Sequence, residues 1–200
     1  MYNIMGKVLS FFEKDTGADS KQTSVQKVDK PTIRIDLVRN FTDLNTAFEL
    51  RYQVFVREKG VSENAEFDGN DFVASHVLLK VNDIPAATLR IRCFSQFAKV
   101  ERVCVAKAFR NQRLWQPLLN YTEEYLKSKG YDCFVGYILK ELSGFWFEHG
   151  FKPNPNMQEV KKDCMILVPV VYPFKKQPVS RARHHQIDLL AREGTTKVME

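Results

Sequence analysis

Residues 100–130, VERVCVAKAFRNQRLWQPLLNYTEEYLKSKG, confine the fold more tightly than any other stretch of the chain. A short apolar run, Val103-Cys104-Val105, suits a buried strand, and a cationic turn from Lys107 to Arg113 follows it. Leu114, Leu118, Leu119, Thr122, Tyr125 and Leu126 then recur at helical spacing along one face. Gly130 stands where a helix-ending glycine belongs. A strand that breaks into a turn and feeds a helix gathers backbone N–H groups and the positive end of a dipole at one spot. That spot favours a bound anion, phosphate above all.

The flanking segments extend this unit on both sides. Residues 31–38 alternate apolar and polar and predict a first strand. Asn40, Thr42 and Asp43 are candidate caps for a helix carrying Leu44, Ala47, Phe48, Arg51, Phe55 and Val56, ending near Glu58. Residues 60–71 read as an acidic loop. Residues 75–81 and 86–93 predict a hairpin turning at Asn82-Asp83, and residues 99–106 a further strand. After the central helix, residues 131–138 predict a strand and residues 139–149 an aromatic-rich helix stopped by Gly150. Residues 165–171 predict a last apolar strand. The order β-α-β-β-β-α-β-α-β implies an α/β (mixed α+β) fold with helices packed on a mixed sheet.

A chain of 200 residues with 44% hydrophobic content can bury one substantial core. The expected division is an N-terminal segment and linker over 1–30, one domain over 31–173, and a basic tail over 174–200. In the first of these, Met1, Ile4, Met5, Val8, Leu9 and Phe12 share a helical face, while residues 15–30 hold almost no large apolar side chain. In the tail, six cationic residues stand against three acidic ones, and a short helix is predicted over 184–192.

The net charge of +6 favours anionic partners in general. The basic residues are not interleaved with aromatics in any one stretch, so nucleic acid is not an expected partner. Cys93, Cys104, Cys133 and Cys164 are widely spaced and form no Cys-x-x-Cys, and His184 and His185 lack a second ligand pair. No metal site is expected, and the cysteines read as free thiols. No secretory leader is visible, and no apolar run approaches the roughly 20 residues of a membrane span, so a cytoplasmic protein is expected.

Several local patterns resemble the GNAT superfamily of N-acyltransferases. Arg51-Tyr52-Gln53-Val54-Phe55-Val56-Arg57-Glu58 resembles the end of the first helix in one branch of it. Glu66, Asp68, Asp71 and then His76 resemble that branch's E-x-D-x-x-D…H signature. Glu101-Arg102-Val103-Cys104-Val105 is similar to its cofactor-facing strand, and Phe145 to Phe151 to its late helix ending in Gly-Phe. The resemblance runs from about Thr32 to Val171. It implies a three-layer fold with a central, mostly antiparallel mixed sheet and helices on both faces. It also implies transfer of an acetyl or longer acyl group from acetyl-CoA or another acyl-CoA to a primary amine on a small molecule or peptide, with oligomers possible.

Two departures stand out. The family turn [Q/R]-x-x-G-x-[G/A] aligns with Arg110, Asn111, Gln112, Arg113, Leu114 and Trp115, so Arg113 and Trp115 fill both small-residue positions. The late-helix position that often holds an acidic tyrosine is Trp146. Acyl-carrier-protein-dependent relatives such as the autoinducer synthases share the fold and resemble the chain through Arg51, Phe55, Asp68, Asp71 and Arg90. A tryptophan usual in them is missing around Val61. A carrier's phosphopantetheine is therefore an alternative donor, and a non-catalytic binding module an alternative function.

Acyl transfer needs a neutral amine, a polarised carbonyl and a proton for the leaving thiolate. Glu101 is the candidate base; its structural alternative is a strand carboxylate paired with Arg102 or Lys99. Tyr137 is the candidate acid. Backbone N–H groups at Val103, Cys104 and Val105 would hold the thioester once a bulge frees them from the sheet. Arg110 to Trp115 would meet the donor's phosphates. Arg51, Phe55, Glu66, Asp68, Asp71 and Arg90 are the candidate acceptor residues, with loop ordering as the structural alternative for the acidic three.

Overall fold

The computed structural model describes residues 31–162 and 165–174. The segment expected over 1–30, Cys164, and the tail beyond residue 174 with its predicted helix lie outside the described residues. In chain order the strands are β1 (Ile33–Leu37), β2 (Ser75–Val81), β3 (Ile84–Cys93), β4 (Ala98–Val105), β5 (Cys133–Leu139), β6 (Lys152–Pro153), β7 (Val160–Lys162) and β8 (Met165–Pro173). The helices are α1 (Phe41–Arg51), α2 (Glu63–Glu66), α3 (Trp115–Ser128) and α4 (Ser143–Glu148). Strand order is β1-β2-β3-β4-β5-β8-β6, with β7 on β8. The pairings of β1 with β2, and of β5, β6 and β7 with β8, are antiparallel; β4 and β5 pair in parallel. This is an α/β protein with an open, mostly antiparallel mixed sheet.

The chain divides into two compact units, one running to Arg90 and resuming over Arg102–Leu118, the other comprising Ile91–Glu101 and the chain from Leu119. In the first unit, β2 and β3 carry near-continuous buried runs, Val77-Leu78-Leu79 and Ala86 to Arg90, as strands covered on both faces do. Thr88 survives at full burial because its hydroxyl donates to the Val77 carbonyl at 2.7 Å. Asn82 and Asp83 both adopt left-handed backbone, φ +48° and +63°, which a two-residue hairpin turn requires and Asn and Asp tolerate.

Of the three candidate caps, Asn40 does the work. Its side-chain oxygen accepts from the Asp43 N–H, and its amide donates to the Asp43 carboxylate, both at 2.8 Å. Such a cap contributes about 1 kcal/mol. The helix expected to reach Glu58 as one piece changes type: after Arg51 the chain continues in wide π-helical turns, Tyr52–Glu58. Inserting one extra residue leaves no mark in an apolar pattern, and such turns favour functional sites. The acidic loop is also more ordered than expected, with α2 and a 3-10 turn over Asn70–Val73.

In the second unit, β5 and β8 pair along seven residues, Cys133 opposite Pro173 through Leu139 opposite Leu167. Phe134 stacks on Tyr172 at 5.2 Å between ring centroids and meets Phe151 edge-on; Trp146 packs against Phe151 at 5.0 Å. Trp146 is thus a packing residue. The parallel register sets Ala98 opposite Phe134 and Lys99 opposite Val135. One step along, a Cβ on Gly136 would lie 2.9 Å from the Val100 carbonyl oxygen, so this strand passes closer than any side chain allows.

Candidate active site

The candidate acceptor residues come together, but with one another. Arg51 is fully buried, its guanidinium against the edge-to-face pair of Phe48 and Phe67 at 5.2 and 5.1 Å from the ring centroids. Its Nε donates to Glu66 Oε1 at 2.7 Å and its Nη1 to Asp71 Oδ1 at 2.6 Å. Arg90, also fully buried, donates to Asp68 at 2.7 and 3.1 Å and to Asp71 at 3.0 Å. Arg102 reaches Glu66 Oε2 at 3.0 Å, Asp68 Oδ2 at 3.2 Å and the Ala65 carbonyl at 2.8 Å. Three guanidiniums thus hold three carboxylates. Phe55, half-buried on the π-helical segment, contributes no polar group.

The local electrostatics follow from burial and pairing. Arg90 holds the Asp68 carboxyl well below the usual range. Burial pushes Asp71 upward, but Arg51 and Arg90 outweigh it and leave that carboxyl lowered. Glu66 goes the other way, raised because burial outweighs Arg102 and Arg51. His76 Nε2 faces the Asp71 carbonyl at 3.3 Å while its buried Nδ1 has no partner, and burial lowers its pKa. The Cys104 thiol, buried beside the Glu66 charge, is pushed up to about 12 and is no nucleophile.

The two candidate catalytic side chains are brought together through a residue considered only as a structural partner. Glu101 accepts from Arg92 side-on, Oε2 from Nε at 2.8 Å and Oε1 from Nη2 at 3.2 Å. Lys99 Nζ lies 2.6 Å from the same Oε1 and 5.5 Å from the Tyr137 ring centroid. The Arg102 alternative belongs elsewhere, with the acidic loop. Arg92 was missed by sequence reasoning. Its signal was the facing pair of charge patterns, Arg90-x-Arg92 and Lys99-x-Glu101, on either side of a short strand connection.

Beyond Glu101 the strand kinks. Arg102 has φ +55°, the left-handed geometry of a strand bulge, beside the Val103 to Val105 backbone. The following turn keeps a second such residue: Arg113 has φ +51° and ψ +32°. Arginine therefore stands in the backbone conformation for which glycine is the default, at the entrance to α3. The Arg113 side chain is exposed and Trp115 is half-buried. Arg110 is held by Glu58 at 2.6 Å and by the Val105 carbonyl at 3.2 Å. Pro117 sits in the first turn of α3, where a missing N–H costs nothing.

Residues 50–124 match the family model described as the acetyltransferase (GNAT) domain. A Bacillus subtilis protein that carries an acetyltransferase name, BSU40680, is 32% identical over 113 residues, covering 55% of this chain and 77% of that protein. The chain belongs to the GNAT acetyltransferase family. Solved structures agree on the fold. Escherichia coli ElaA is 23% identical with a TM-score of 0.62, covering 70% of this chain and 99% of its own. BjaI, a CoA-dependent acyl-homoserine lactone synthase solved with SAM and isopentyl-CoA, is 16% identical with a TM-score of 0.61, over 84% and 93% of the two chains. Among the described residues of this GNAT protein no helix is long and apolar enough to cross a membrane.

Proposed function

We propose that this protein is an N-acyltransferase that moves an acetyl or longer acyl group from acyl-CoA to a primary amine. The observation that carries the reading is Arg113: its left-handed backbone keeps the glycine-type turn into α3 although the glycine is gone. The turn opens onto the positive end of the α3 dipole and carries the exposed Arg113, and these suit the donor's phosphates, although Pro117 has no N–H and that of Gln116 donates to the Arg113 carbonyl at 3.1 Å. The kink at Arg102 supports the other half of donor binding, because a bulge releases strand N–H groups toward a thioester oxygen. The free thiols of Cys93, Cys104 and Cys133 fit a reducing cytoplasm.

In this reading Glu101 takes one proton from the acceptor's ammonium. The freed lone pair bonds to the thioester carbon, the C–S bond breaks, and the sulfur departs as thiolate. Tyr137 protonates the thiolate and recovers a proton from the new amide nitrogen.

Thiol release from acyl-CoA across a panel of amines, with calorimetric CoA binding alongside, tests the reading. Binding and amine-dependent release are expected; absence of both overturns it. The exposed Arg113 favours a second donor, an acidic acyl carrier, whose contact with that side chain would weaken with salt. The double change Arg113→Gly, Trp115→Gly separates the donors. Tighter acyl-CoA binding supports CoA, and lost carrier-dependent turnover supports the carrier.

A further inference from the structure

Two cations share one carboxylate at Glu101, and they are not equivalent. Arg92 pairs with it through a side-on fork, and its guanidinium also lies 5.4 Å from the Phe94 ring, which stacks on Phe97 at 4.7 Å. A planar fork that engages both carboxylate oxygens and lies against a ring is pre-organised for this pairing. Lys99 adds a single contact at 2.6 Å to an oxygen that Arg92 already serves, and its ammonium otherwise lies over the Tyr137 ring. The side chains of Lys99 and Arg92 are about equally exposed, 21% and 19%, so the difference lies in their chemistry: Lys99 ends in a single ammonium with three rotatable donors on a flexible stem. A carboxylate held by two cations is a weak base, which is the wrong ground state for deprotonating an amine. One cation must leave before Glu101 can accept a proton, and Lys99 is the one that can.

We infer that the acceptor is an amine carrying its own carboxylate, an amino-acid-like molecule, and that Lys99 recognises this carboxylate by turning to it from Glu101. The inference rests on the acyltransfer reading above. The acceptor's ammonium meets Glu101 while its carboxylate takes Lys99. Glu101 then keeps the Arg92 fork, loses the Lys99 cation, and becomes a competent base at the moment the amine reaches it. The acceptor's anion thus switches on the residue that takes its proton. Lys99 binds the acceptor and positions the base; it neither gives nor takes the reaction's proton. An amine without the carboxylate leaves Lys99 on Glu101 and the base suppressed.

The test compares amino acids with their carboxamides as acceptors, in the wild-type full chain and in Lys99→Met and Lys99→Arg. Acceptor binding is also measured calorimetrically without donor. In the wild type, the carboxamides should lose about ten- to a hundredfold in kcat/KM, the range for removing a charged hydrogen-bond partner. Lys99→Met should raise KM for amino acids and raise kcat for carboxamides, because it removes both the anion contact and the brake on Glu101. A purely structural Lys99 would lower both activities together. Lys99→Arg should keep amino-acid preference at reduced kcat, since a fork leaves Glu101 less readily.

Equal use of amino acids and carboxamides by the wild type overturns the inference and leaves acyl transfer standing. So does a uniform loss in Lys99→Met. Carboxylate-dependent binding without thiol release from any donor overturns acyl transfer and leaves the recognition site. Amino acids that bind neither form without donor, and show no preference with it, overturn the site.

Discussion

Removing the guanidinium of Arg51 should destabilise the fold by about 3 kcal/mol, the lower part of the range for breaking a buried ion pair. The structure sets the figure. Arg51 donates to Glu66 Oε1 and Asp71 Oδ1 at 2.7 and 2.6 Å, and to Asp71 Oδ2 and the Glu66 carbonyl at 3.2 and 3.1 Å. Its loss is softened because Arg102 still reaches Glu66 and Arg90 still reaches Asp71. Arg51→Met keeps an unbranched apolar stem in the buried site and so separates the loss of charge from the loss of packing. The pH dependence fixes the sign. The folded-state pKa of Asp71 is depressed, so its contribution is present above the unfolded value of about 3.9 and lost as pH falls through the folded one. Without Arg51 that contribution shrinks, and the stability curves of variant and wild type should converge toward acid. Urea unfolding at about pH 7, 4 and 2.5, the last below the unfolded pKa, measures the gap. A loss below about 1 kcal/mol at pH 7, or one that stays constant toward acid, would refute the claim that these charges are structural.

Two further outcomes follow from the same reasoning. Gly136→Ala places a methyl 2.9 Å from the Val100 carbonyl oxygen, a backbone atom that cannot swing aside; β4 and β5 must shift, at about 1–3 kcal/mol, readable as a lower Tm. His76 is held neutral by burial, so the unfolded chain protonates first, near pH 6.5, and stability should fall as pH drops from there toward the lower folded pKa. In His76→Gln, unfolding followed by urea between pH 7 and 5 should lose that part of the slope; an unchanged slope would assign the dependence to other groups.

What could be read without coordinates was the part governed by local rules. The Asn82-Asp83 turn, the buried face of α3 through Leu114 and Leu118, and the glycine-type position of Arg113 each depend on residues close in sequence. Partner choice does not. Arg51, Glu66, Asp71 and Arg90 were legible as a charged pattern, yet whether they face a substrate or one another depends on how a loop folds over a helix. Their full or near-full burial and mutual ion pairs favour the second. Glu101 was legible as a strand carboxylate, but naming Arg92 required the pairing register. β6 and β7, two and three residues long, are too short to carry an alternation. The left-handed backbone of Arg102 was beyond reach because a bulky residue at positive φ breaks the rule by which such positions are found.

The division between arginine and lysine sorts these charges by task. Arg51, Arg90, Arg92 and Arg102 each bind through more than one nitrogen, three of them within an acidic cluster and the fourth side-on at Glu101. A rigid fork is suited to partners that must not change. Lys99 makes one contact to Glu101 and lies over a ring, which is what a partner that must be exchanged looks like. The kink at Arg102 separates the two regimes along one strand: Glu101 answers to Arg92 and Lys99, while the next residue is committed to Glu66, Asp68 and the Ala65 carbonyl. For the base proposed at Glu101, resting between two cations, that combination is what the reaction would require: one partner that stays in its fork and one that can be exchanged.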